Sequence, residues 1–311
     1  MPKVYFIIVT YNAMKWAERC FSSLRKSSVP VQCIVVDNGS TDGTQEYVKN
    51  TYPEVDFIQS PENLGFGKAN NIGIEKAHKQ GADFFYLMNQ DAWIYEDSVE
   101  KMLQVYEIYP QKEEIGILSP MHLDGSGEMF DPHFEMYLSR NTNENRIFSD
   151  IFCGHPKPFY EMTFINAAHW FIPKKTIEEV GGFNTYFFQG VEDHEYVNRV
   201  NYKKKKVILC TESKVIHDAK KGFTRNDSEA NIRRVSLRAQ RESRYLNPSY
   251  DFKIGKEKSE FYSNIVKLAL KGNISESRFY IDMYQYFSGR FAKIEAARNI
   301  ALNEKHAFLD L

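Results

Sequence analysis

The chain has 311 residues, of which 42% are hydrophobic, so it is long enough for one large α/β domain with an appendage or for two small domains. Its 40 Lys and Arg residues nearly balance its 41 Asp and Glu residues, which argues against a protein built mainly to coat nucleic acid. Four scattered cysteines predict buried thiols in a reducing compartment rather than a disulfide framework or a zinc site. No apolar stretch approaches the roughly 18 residues of a membrane span, and the sequence therefore predicts a soluble cytoplasmic protein.

The first 120 residues alternate between strand and helix patterns. Apolar runs that predict strands lie at Val4–Val9, Ile34–Val36, Phe57–Ile58, Phe84–Met88 and Ile115–Leu118. Helical patterns lie between them, near residues 14–27, 41–51, 66–80 and 96–108. This alternation predicts a Rossmann-like, mostly parallel sheet with helices on both faces.

The pattern changes after residue 120. From Met121 to Tyr160 apolar periodicity is weak, which is typical of a functional loop or an ordered insertion. Ordered structure is predicted to resume at Met162–Ile172, and Pro173 can occupy the first turn of a following helix. A further helix is predicted over Glu192–Val200 and a last strand over Lys206–Cys210.

The remainder of the chain is predicted to be helical, over Glu229–Tyr245, Glu257–Leu270 and Ser275–Ala297. We therefore predict a main domain at 1–225 and a helical C-terminal extension at 226–311. The first of these helices carries arginines at three- and four-residue spacings, at positions Arg233, Arg234, Arg238, Arg241 and Arg244. They predict a solvated face or, less strongly, a basic patch for a lipid headgroup or a phosphate-bearing acceptor, to which Lys203–Lys206 and Lys220-Lys221 would add.

Polar residues follow the first two strands. Thr10, Tyr11 and Asn12 end the first run, and Asp37 and Asn38 end the second. Ligands of open α/β sheets bind at the carboxyl ends of strands, and a carboxylate there can accept a hydrogen bond from a base or ribose. Two ordinary turns are the alternative interpretation, because these residue types favour turns.

A glycine-containing segment follows the third strand and opens a helix. Gly65 and Gly67 allow a ligand to approach the backbone, while Lys68 adds positive charge near the helix N-terminus. The segment is neither a dinucleotide fingerprint nor a P-loop, because Asn70 follows Gly-x-Gly-x-x and no Gly-Lys-Ser/Thr occurs. It predicts a nucleoside or nucleotide contact by Gly65, Lys68 and Asn70.

Three further positions carry candidate reaction chemistry. Asp91 follows the fourth strand, where a carboxylate suits a divalent cation shared with phosphate oxygens, although a lone turn Asp is the simpler interpretation. Glu192 and Asp193 begin a predicted helix and can supply a general base or act as a capping pair. His217 follows the last apolar run, where a structural histidine and a metal ligand are both plausible.

These motifs in this order resemble glycosyltransferase family 2, the inverting nucleotide-sugar enzymes of the GT-A fold, and in particular the bacterial branch that includes rhamnosyltransferases. The resemblance covers roughly residues 3–225 on the order of its motifs. Its motifs are Val9–Asn12, Asp37–Thr44, Asn63–Asn71, Asn89–Asp91, Gly181–Phe183 and Glu192-Asp193.

The resemblance implies a role for each candidate residue. The nucleoside is held by Thr10, Tyr11, Asn12, Asp37 and Asn38, with Asp37 facing the pyrimidine, and by Gly65, Lys68 and Asn70. Asp91 and His217 bind Mg²⁺ or Mn²⁺ with the diphosphate. Asp193 is the catalytic base with Glu192 as the fallback, and Trp170 is either an acceptor-site aromatic or a core residue.

Two positions depart from the family pattern. Asn89 replaces the first acid of Asp-x-Asp, which would weaken metal affinity. Glu195 stands where the last acid of Glu-Asp-x-Asp is expected, which makes the assignment of the base less secure.

The implied function is an inverting transfer of a sugar from a UDP- or dTDP-sugar donor to a hydroxyl of a saccharide or lipid-linked saccharide acceptor, in bacterial surface polysaccharide synthesis. A nucleotidyltransferase acting on sugar phosphates would need a basic glycine-rich loop after the first strand, where Lys15 stands alone. An inactive nucleotide-sugar-binding module is disfavoured by the joint presence of Asp91, Asp193 and His217. The C-terminal helices can form a homodimer, cover the acceptor site or contact the membrane at its inner face.

Overall fold

The computed structural model describes residues 1–219 and 229–311. These residues form two compact units, one of Met1–Lys221 with Lys305–Leu311 and one of Gly222–Glu304. The predicted boundary between residues 225 and 226, and the pair Lys220-Lys221, lie outside the described residues. Lys305–Leu311 belong to the first unit, so the predicted extension over 226–311 differs from the structure at its C-terminal end.

A nine-stranded sheet organises the first unit in the order β3-β2-β1-β4-β8-β6-β9-β5, with β7 paired to β9. The strands are β1 (Val4–Thr10), β2 (Val31–Asp37), β3 (Asp56–Gln59), β4 (Phe84–Asn89), β5 (Ala92–Ile94), β6 (Ile115–Leu123), β7 (Phe159–Met162), β8 (His169–Pro173) and β9 (Lys206–His217). Strands β3, β2, β1 and β4 are parallel, β8 is antiparallel to β4 and β6, and β6 and β9 are parallel. The polar residues that follow β1, β2 and β4 therefore lie together at the carboxyl ends of these parallel strands.

Helices cover both faces of the sheet, as the sequence predicts. They are α1 (Met14–Arg25), α2 (Thr44–Thr51), α3 (Phe66–Lys79), α4 (Ser98–Ile108), α5 (Pro132–Asn145), α6 (Ile147–Phe152), α7 (Lys174–Val180) and α8 (Glu192–Tyr202). Residues of α1, α2 and α4 pack in one core cluster, and those of α3 and α5 to α8 pack in another. Gly73 lets α3 lie close to the sheet, because a Cβ there would lie 2.5 Å from Ile7 Cγ2.

The structure differs from the sequence prediction at three places. The segment Met121–Tyr160, predicted as a functional loop or an ordered insertion without apolar periodicity, contains α5 and α6, which are stabilised because Phe134, Leu138 and Ile147 are fully buried. The last strand extends to His217 past a register shift opposite Pro120–Met121. The helix predicted at Ser275–Ala297 is two helices that break at Gly289 and Arg290.

The second unit consists of α9 (Glu229–Leu246), α10 (Ile254–Leu270), α11 (Ile274–Ser288) and α12 (Phe291–Asn303). The arginines of α9 are engaged within this unit: Arg233 pairs with Glu276, Arg241 with Glu260, and Arg238 lies over the Tyr286 ring at 4.0 Å. They therefore form neither a simple solvated face nor an open basic patch. Across 1–219 and 229–311, no helix has both the length and the apolar character that a bilayer crossing requires.

The C-terminal residues Lys305–Leu311 return to the first unit. Gly182 N–H donates to Ala307 O at 2.9 Å, and Asn71 Nδ2 donates to Phe308 O at 3.1 Å. Gly181, with φ +87°, is required at this contact because a Cβ would lie 2.2 Å from Ala307 O. The tail thus supports the Gly-Gly-Phe turn that leads toward α8.

Candidate functional site

The turn after β2 is built around the buried carboxylate of Asp37. Its Oδ2 accepts from Thr10 Oγ1 at 2.7 Å and from Ser40 Oγ at 2.6 Å, and its Oδ1 accepts from Gln45 Nε2 at 2.8 Å. The backbone N–H groups of Gly39 and Ser40 also donate to Oδ1. Asp37 therefore holds the loops after β1 and β2 together, and its contact with a pyrimidine stays a prediction.

Asn12 and Asn38 connect the strand-end loops to one another. Asn12 has φ +52°, and its Oδ1 accepts from Thr41 N–H at 2.9 Å. Asn38 donates from Nδ2 to Gly65 O at 3.2 Å, and its Oδ1 accepts from Leu64 N–H at 3.2 Å. Hydrogen bonds thus link the loop after β1 to that after β2, and the loop after β2 to the start of α3.

The remaining predicted nucleotide residues differ in exposure. Tyr11 is half exposed, and its N–H donates to Gln90 Oε1 at 2.6 Å. Lys68 is exposed, whereas Asn70 is buried and donates to Phe66 O at 3.0 Å within α3. Gly65 has φ +82° and contacts a loop, since a Cβ would lie 2.1 Å from Phe188 O. Among these side chains, Tyr11 and Lys68 are the ones open to a ligand.

Asp91 and His217 lie side by side, as the sequence predicts. Asp91 Oδ1 is 3.6 Å from His217 Nε2 because Ala92 on β5 pairs with His217 on β9. Asn89 Nδ2 lies 3.4 Å from the same Nε2 atom, and its buried Oδ1 accepts no hydrogen bond from any described residue. A carboxylate, an imidazole and an open amide oxygen suit a divalent cation that shares further ligands with phosphate and water.

Asp131 is a supporting residue that sequence reasoning missed. It is fully buried, its Oδ2 lies 3.3 Å from His217 Nδ1, and its Oδ1 accepts from Phe134 N–H at 2.8 Å. A carboxylate at Nδ1 fixes the imidazole tautomer that leaves Nε2 unprotonated for a ligand. The available signal was an acidic residue directly before Pro132, which is typical of a helix start.

Burial and neighbouring charges act in opposite directions on these carboxylates. Burial raises the pKa of Asp91, an effect that His217 opposes and that Asp218 and Asp131 reinforce. Burial also acts to raise the pKa of Asp131, but His217 and the Phe134 N–H outweigh it, and the pKa is lowered. Asp131 therefore stays ionised, whereas a cation beside Asp91 would relieve the cost of its charge.

Glu192 and Asp193 stand at the start of α8, after Val191 with φ +76°. Burial and the neighbouring Asp193 raise the pKa of Glu192 to about 7, and no described residue donates to its buried Oε2. Burial also raises the pKa of the partly exposed Asp193, although His194 opposes this, and its Oδ1 accepts from His194 N–H at 2.7 Å. Carboxylates with raised pKa values are typical of general bases.

Glu195, the third acid of this segment, is a structural residue. It is fully buried and pairs with Arg199 Nη2 at 3.0 Å, while Asn184 Nδ2 donates to its Oε1 at 3.1 Å. Arg199 in turn donates to Val180 O and Gly182 O. Because its oxygens face buried partners, Glu195 is excluded as the base, and the choice narrows to Asp193 and Glu192.

The prediction that Trp170 binds the acceptor is wrong. Trp170 has no exposed surface, donates from Nε1 to Ile165 O at 3.1 Å and stacks on Phe183 with ring centroids 5.9 Å apart. It lies on β8, whose residues His169–Pro173 are all buried, so no acceptor can reach the indole. A sequence cannot distinguish this core tryptophan from a surface one, because both follow an apolar pattern.

An aromatic group that the sequence did not indicate lies beside Asp193. The exposed imidazole of His194 stacks on Phe164 with centroids 3.8 Å apart, and Tyr137 contacts the same phenyl ring edge-on. Burial, followed by the charges of Asp193 and Asp131, raises the pKa of Tyr137. Tyr137 therefore lies within electrostatic reach of both the candidate base and the residue behind His217.

Comparison with known proteins finds similarity to the same family. The model of the family "Glycosyl transferase family 2" matches residues 5–116. N-acetylglucosaminyl-diphospho-decaprenol L-rhamnosyltransferase of Mycobacterium tuberculosis is 22% identical over 231 residues, 68% of this chain and 74% of that protein. O-antigen chain rhamnosyltransferase WbaN of Salmonella anatum is 24% identical over 226 residues, 70% of this chain and 66% of that protein.

Solved structures support the fold. The crystal structure of S. aureus TarS 1–349 is similar over 98% of this chain and 88% of that chain, with a TM-score of 0.57 at 14% identity. Another structure of that fragment contains UDP-GlcNAc and has a TM-score of 0.55. The present chain spans 41% of a longer TarS chain.

The matched residues 5–116 contain the loops that Asp37 and Asn38 hold together, and the rhamnosyltransferases align over about two thirds of this chain. The GT-A fold predicted from the motifs is confirmed by the sheet and by its structural neighbours. Residues 5–116 therefore match glycosyltransferase family 2, and the chain is similar to rhamnosyltransferases over about two thirds of its length.

Proposed function

We propose that this enzyme transfers a sugar from a UDP-sugar or dTDP-sugar donor to a hydroxyl of a saccharide acceptor. The transfer inverts the anomeric centre and serves the synthesis of a bacterial surface polysaccharide. The observation that carries the proposal is a chain of contacts through α5. Asp131, directly before this helix, lies 3.3 Å from His217, and Tyr137 on the helix contacts Phe164, on which His194 stacks beside Asp193. This arrangement supports one reaction centre that contains the candidate base and the candidate cation site. The names of the relatives, which include dTDP-rhamnosyl transferase RfbF of Shigella flexneri, support the donor class.

Asp91 and His217 are the residues proposed to hold Mg²⁺ or Mn²⁺. Across 1–219 and 229–311, no three His, Cys, Asp or Glu side chains cluster closely enough to bind a metal by themselves. The ion would therefore take its other ligands from the donor diphosphate and water. When bound, it offsets the negative charge that develops on the departing diphosphate.

Asp193 is proposed to accept the proton of the acceptor hydroxyl. The hydroxyl oxygen attacks the anomeric carbon from the face opposite the leaving group, and the bond to the diphosphate oxygen breaks with its electron pair going to the diphosphate. One displacement inverts the anomeric centre without an enzyme nucleophile. Glu192, with a pKa of about 7, is the alternative base and otherwise raises the basicity of Asp193 through its charge.

His194 is proposed to replace Trp170 as the acceptor-binding aromatic. Its ring is exposed, is held flat against Phe164 and adjoins Asp193, so a sugar ring stacked on it would present a hydroxyl near the base. A lipid-linked saccharide is the other acceptor proposed for this site. The cytoplasmic location is part of this proposal and is supported by four free thiols, three of which are buried. The homodimer predicted from the sequence is also part of it.

Calorimetric titration with UDP, dTDP and GDP, with and without Mn²⁺, tests this function. We expect a pyrimidine diphosphate to bind more tightly with Mn²⁺, and Asp91→Asn to remove that gain. Asp251→Asn is the matched control, because Asp251 is exposed in the helical unit and contacts Lys253. The absence of any diphosphate binding in the wild type would refute the proposal.

Turnover then separates the alternatives. Release of diphosphate from a nucleoside triphosphate and a sugar phosphate would assign a nucleotidyltransferase, and binding without hydrolysis or transfer from any donor would assign an inactive module. Transfer of the sugar to a saccharide, with the product anomer inverted by NMR, is the expected result.

A further inference from the structure

Exposed apolar side chains of the helical unit lie along α10 and at its junction with α11. Tyr262, Val266 and Leu270 recur every four residues and are 53%, 56% and 84% exposed. This spacing puts them on one side of α10. Ile274, at the start of α11 and four residues after Leu270, is 50% exposed. We call this surface, Tyr262, Val266, Leu270 and Ile274, the apolar tip.

Basic side chains border the apolar tip. Lys267 and Lys271 are exposed beside Leu270, and Arg278 is exposed on α11. The neighbouring carboxylates are directed elsewhere, because Glu260 pairs with Arg241 and Arg244, and Glu276 pairs with Arg233. The positive charges around the tip are therefore not neutralised by these acids.

We propose that the apolar tip docks on an anionic lipid surface. Valine, leucine and isoleucine side chains would enter the headgroup–acyl boundary, while Lys267, Lys271 and Arg278 meet lipid phosphates. Tyr262, whose hydroxyl donates to Tyr284 at 2.8 Å, has the amphipathic ring that membrane interfaces favour. The arginines of α9, which the sequence singled out for this role, are engaged within the unit and do not form the docking surface.

The charges argue for lipid and against a second copy of this chain. A symmetric contact through the apolar tip would place the Lys267 and Lys271 of two copies near each other, and like charges at an interface oppose association. An anionic bilayer instead complements them. The purpose of docking rests on the proposed function, because it would hold the enzyme where a lipid-linked acceptor is found, but docking itself can be measured without any transfer reaction.

Cosedimentation of the full chain with lipid vesicles tests the proposal. We expect binding to vesicles of equal parts phosphatidylglycerol and phosphatidylcholine, much weaker binding to phosphatidylcholine alone, and loss of binding at high salt. Val266→Glu with Leu270→Glu should weaken binding about tenfold or more, and Lys267→Glu with Lys271→Glu should act similarly. Phe152→Glu is the matched control, because Phe152 is 92% exposed but lies in the first unit.

Several outcomes would overturn the proposal. They are no binding of the wild type to anionic vesicles at low salt, equal binding by the Val266/Leu270 variant, and equal loss in Phe152→Glu. A wild-type dimer in sedimentation velocity that Leu270→Glu converts to a monomer would assign the tip to a second copy instead. Circular dichroism and UDP titration of each variant confirm folding and the donor site, so failure to bind lipid is distinguished from failure of the proposed transferase function.

Discussion

The loops that follow β1 and β2 and the segment from β8 to β9 are the two parts of the proposed site, and they differ in how their buried polar atoms are paired. Around Asp37 the buried carboxylate oxygens accept hydrogen bonds from protein donors, which stabilise the loops of the proposed nucleotide side without a ligand. Around Glu192 a buried carboxylate oxygen has no donor among the described residues, and its pKa is raised. Satisfied hydrogen bonds stabilise the loops around Asp37, whereas the acidic pair at the start of α8 keeps an unpaired oxygen on Glu192, next to the proposed proton acceptor Asp193.

The largest test of this contrast is removal of the proposed base. Asp193→Asn should lower kcat by about 10²- to 10⁴-fold, because the acceptor hydroxyl loses its proton acceptor, while UDP affinity stays near the wild-type value. Steady-state transfer rates and calorimetry measure the two effects. Equal losses in Asp251→Asn, or an unchanged kcat in Asp193→Asn, would contradict the assignment.

On the nucleotide side the expected effect is on stability. Asp37→Ala should lower the free energy of unfolding by about 3 kcal/mol, because the donors from Thr10, Ser40 and Gln45 lose their acceptor in a buried environment. Urea denaturation measures the change. Asp251→Ala serves as the control, and an Asp37→Ala protein as stable as that control would show that the network contributes little.

The raised pKa of Glu192 should make the free energy of unfolding fall as pH rises, whereas a paired carboxylate with a lowered pKa makes it rise. The pKa of Glu192 is about 7 in the folded protein against the model-peptide value of 4.5, so its ionisation destabilises the fold as pH rises through that range. Glu192→Gln should therefore gain up to about 3 kcal/mol over the wild type by pH 8, with little difference at pH 4. Thermal unfolding across pH measures this, and a difference that does not vary with pH would refute the raised pKa.

The smallest expected effect concerns Asp131. Asp131→Ala should weaken Mn²⁺ binding in the presence of UDP by about 10-fold to 100-fold, because His217 loses the carboxylate that orients it. Electron paramagnetic resonance of free Mn²⁺ gives the affinity, and ¹⁵N shifts of His217 report its tautomer without metal. Asp124→Ala, in an exposed turn nearby in the chain, is the control. An unchanged tautomer and affinity would remove Asp131 from the site.

The features for which sequence and structure agree share one property, which is that their sequence signal is local. The alternation of strands and helices predicted the sheet, and polar residues directly after apolar runs predicted that Asp91 and His217 meet at a strand edge. Glu192 and Asp193 were recognisable from the helix that follows them. The sequence could not decide the environment of residues that distant segments enclose. Trp170 is enclosed by Phe183 and Tyr196, and Glu195 is enclosed with Arg199 and Asn184.

The sequence by itself therefore determined the α/β architecture, the order of the motifs and the candidate pair of carboxylates at the start of α8, because periodicity and strand-end chemistry depend on consecutive residues. The tertiary structure alone decided that Asp131 lies behind His217, that His194 rather than Trp170 faces outward, and that the tail supports the Gly181 turn. Burial, pKa and pairing depend on which distant segments pack together, and that information appears only when the chain is folded.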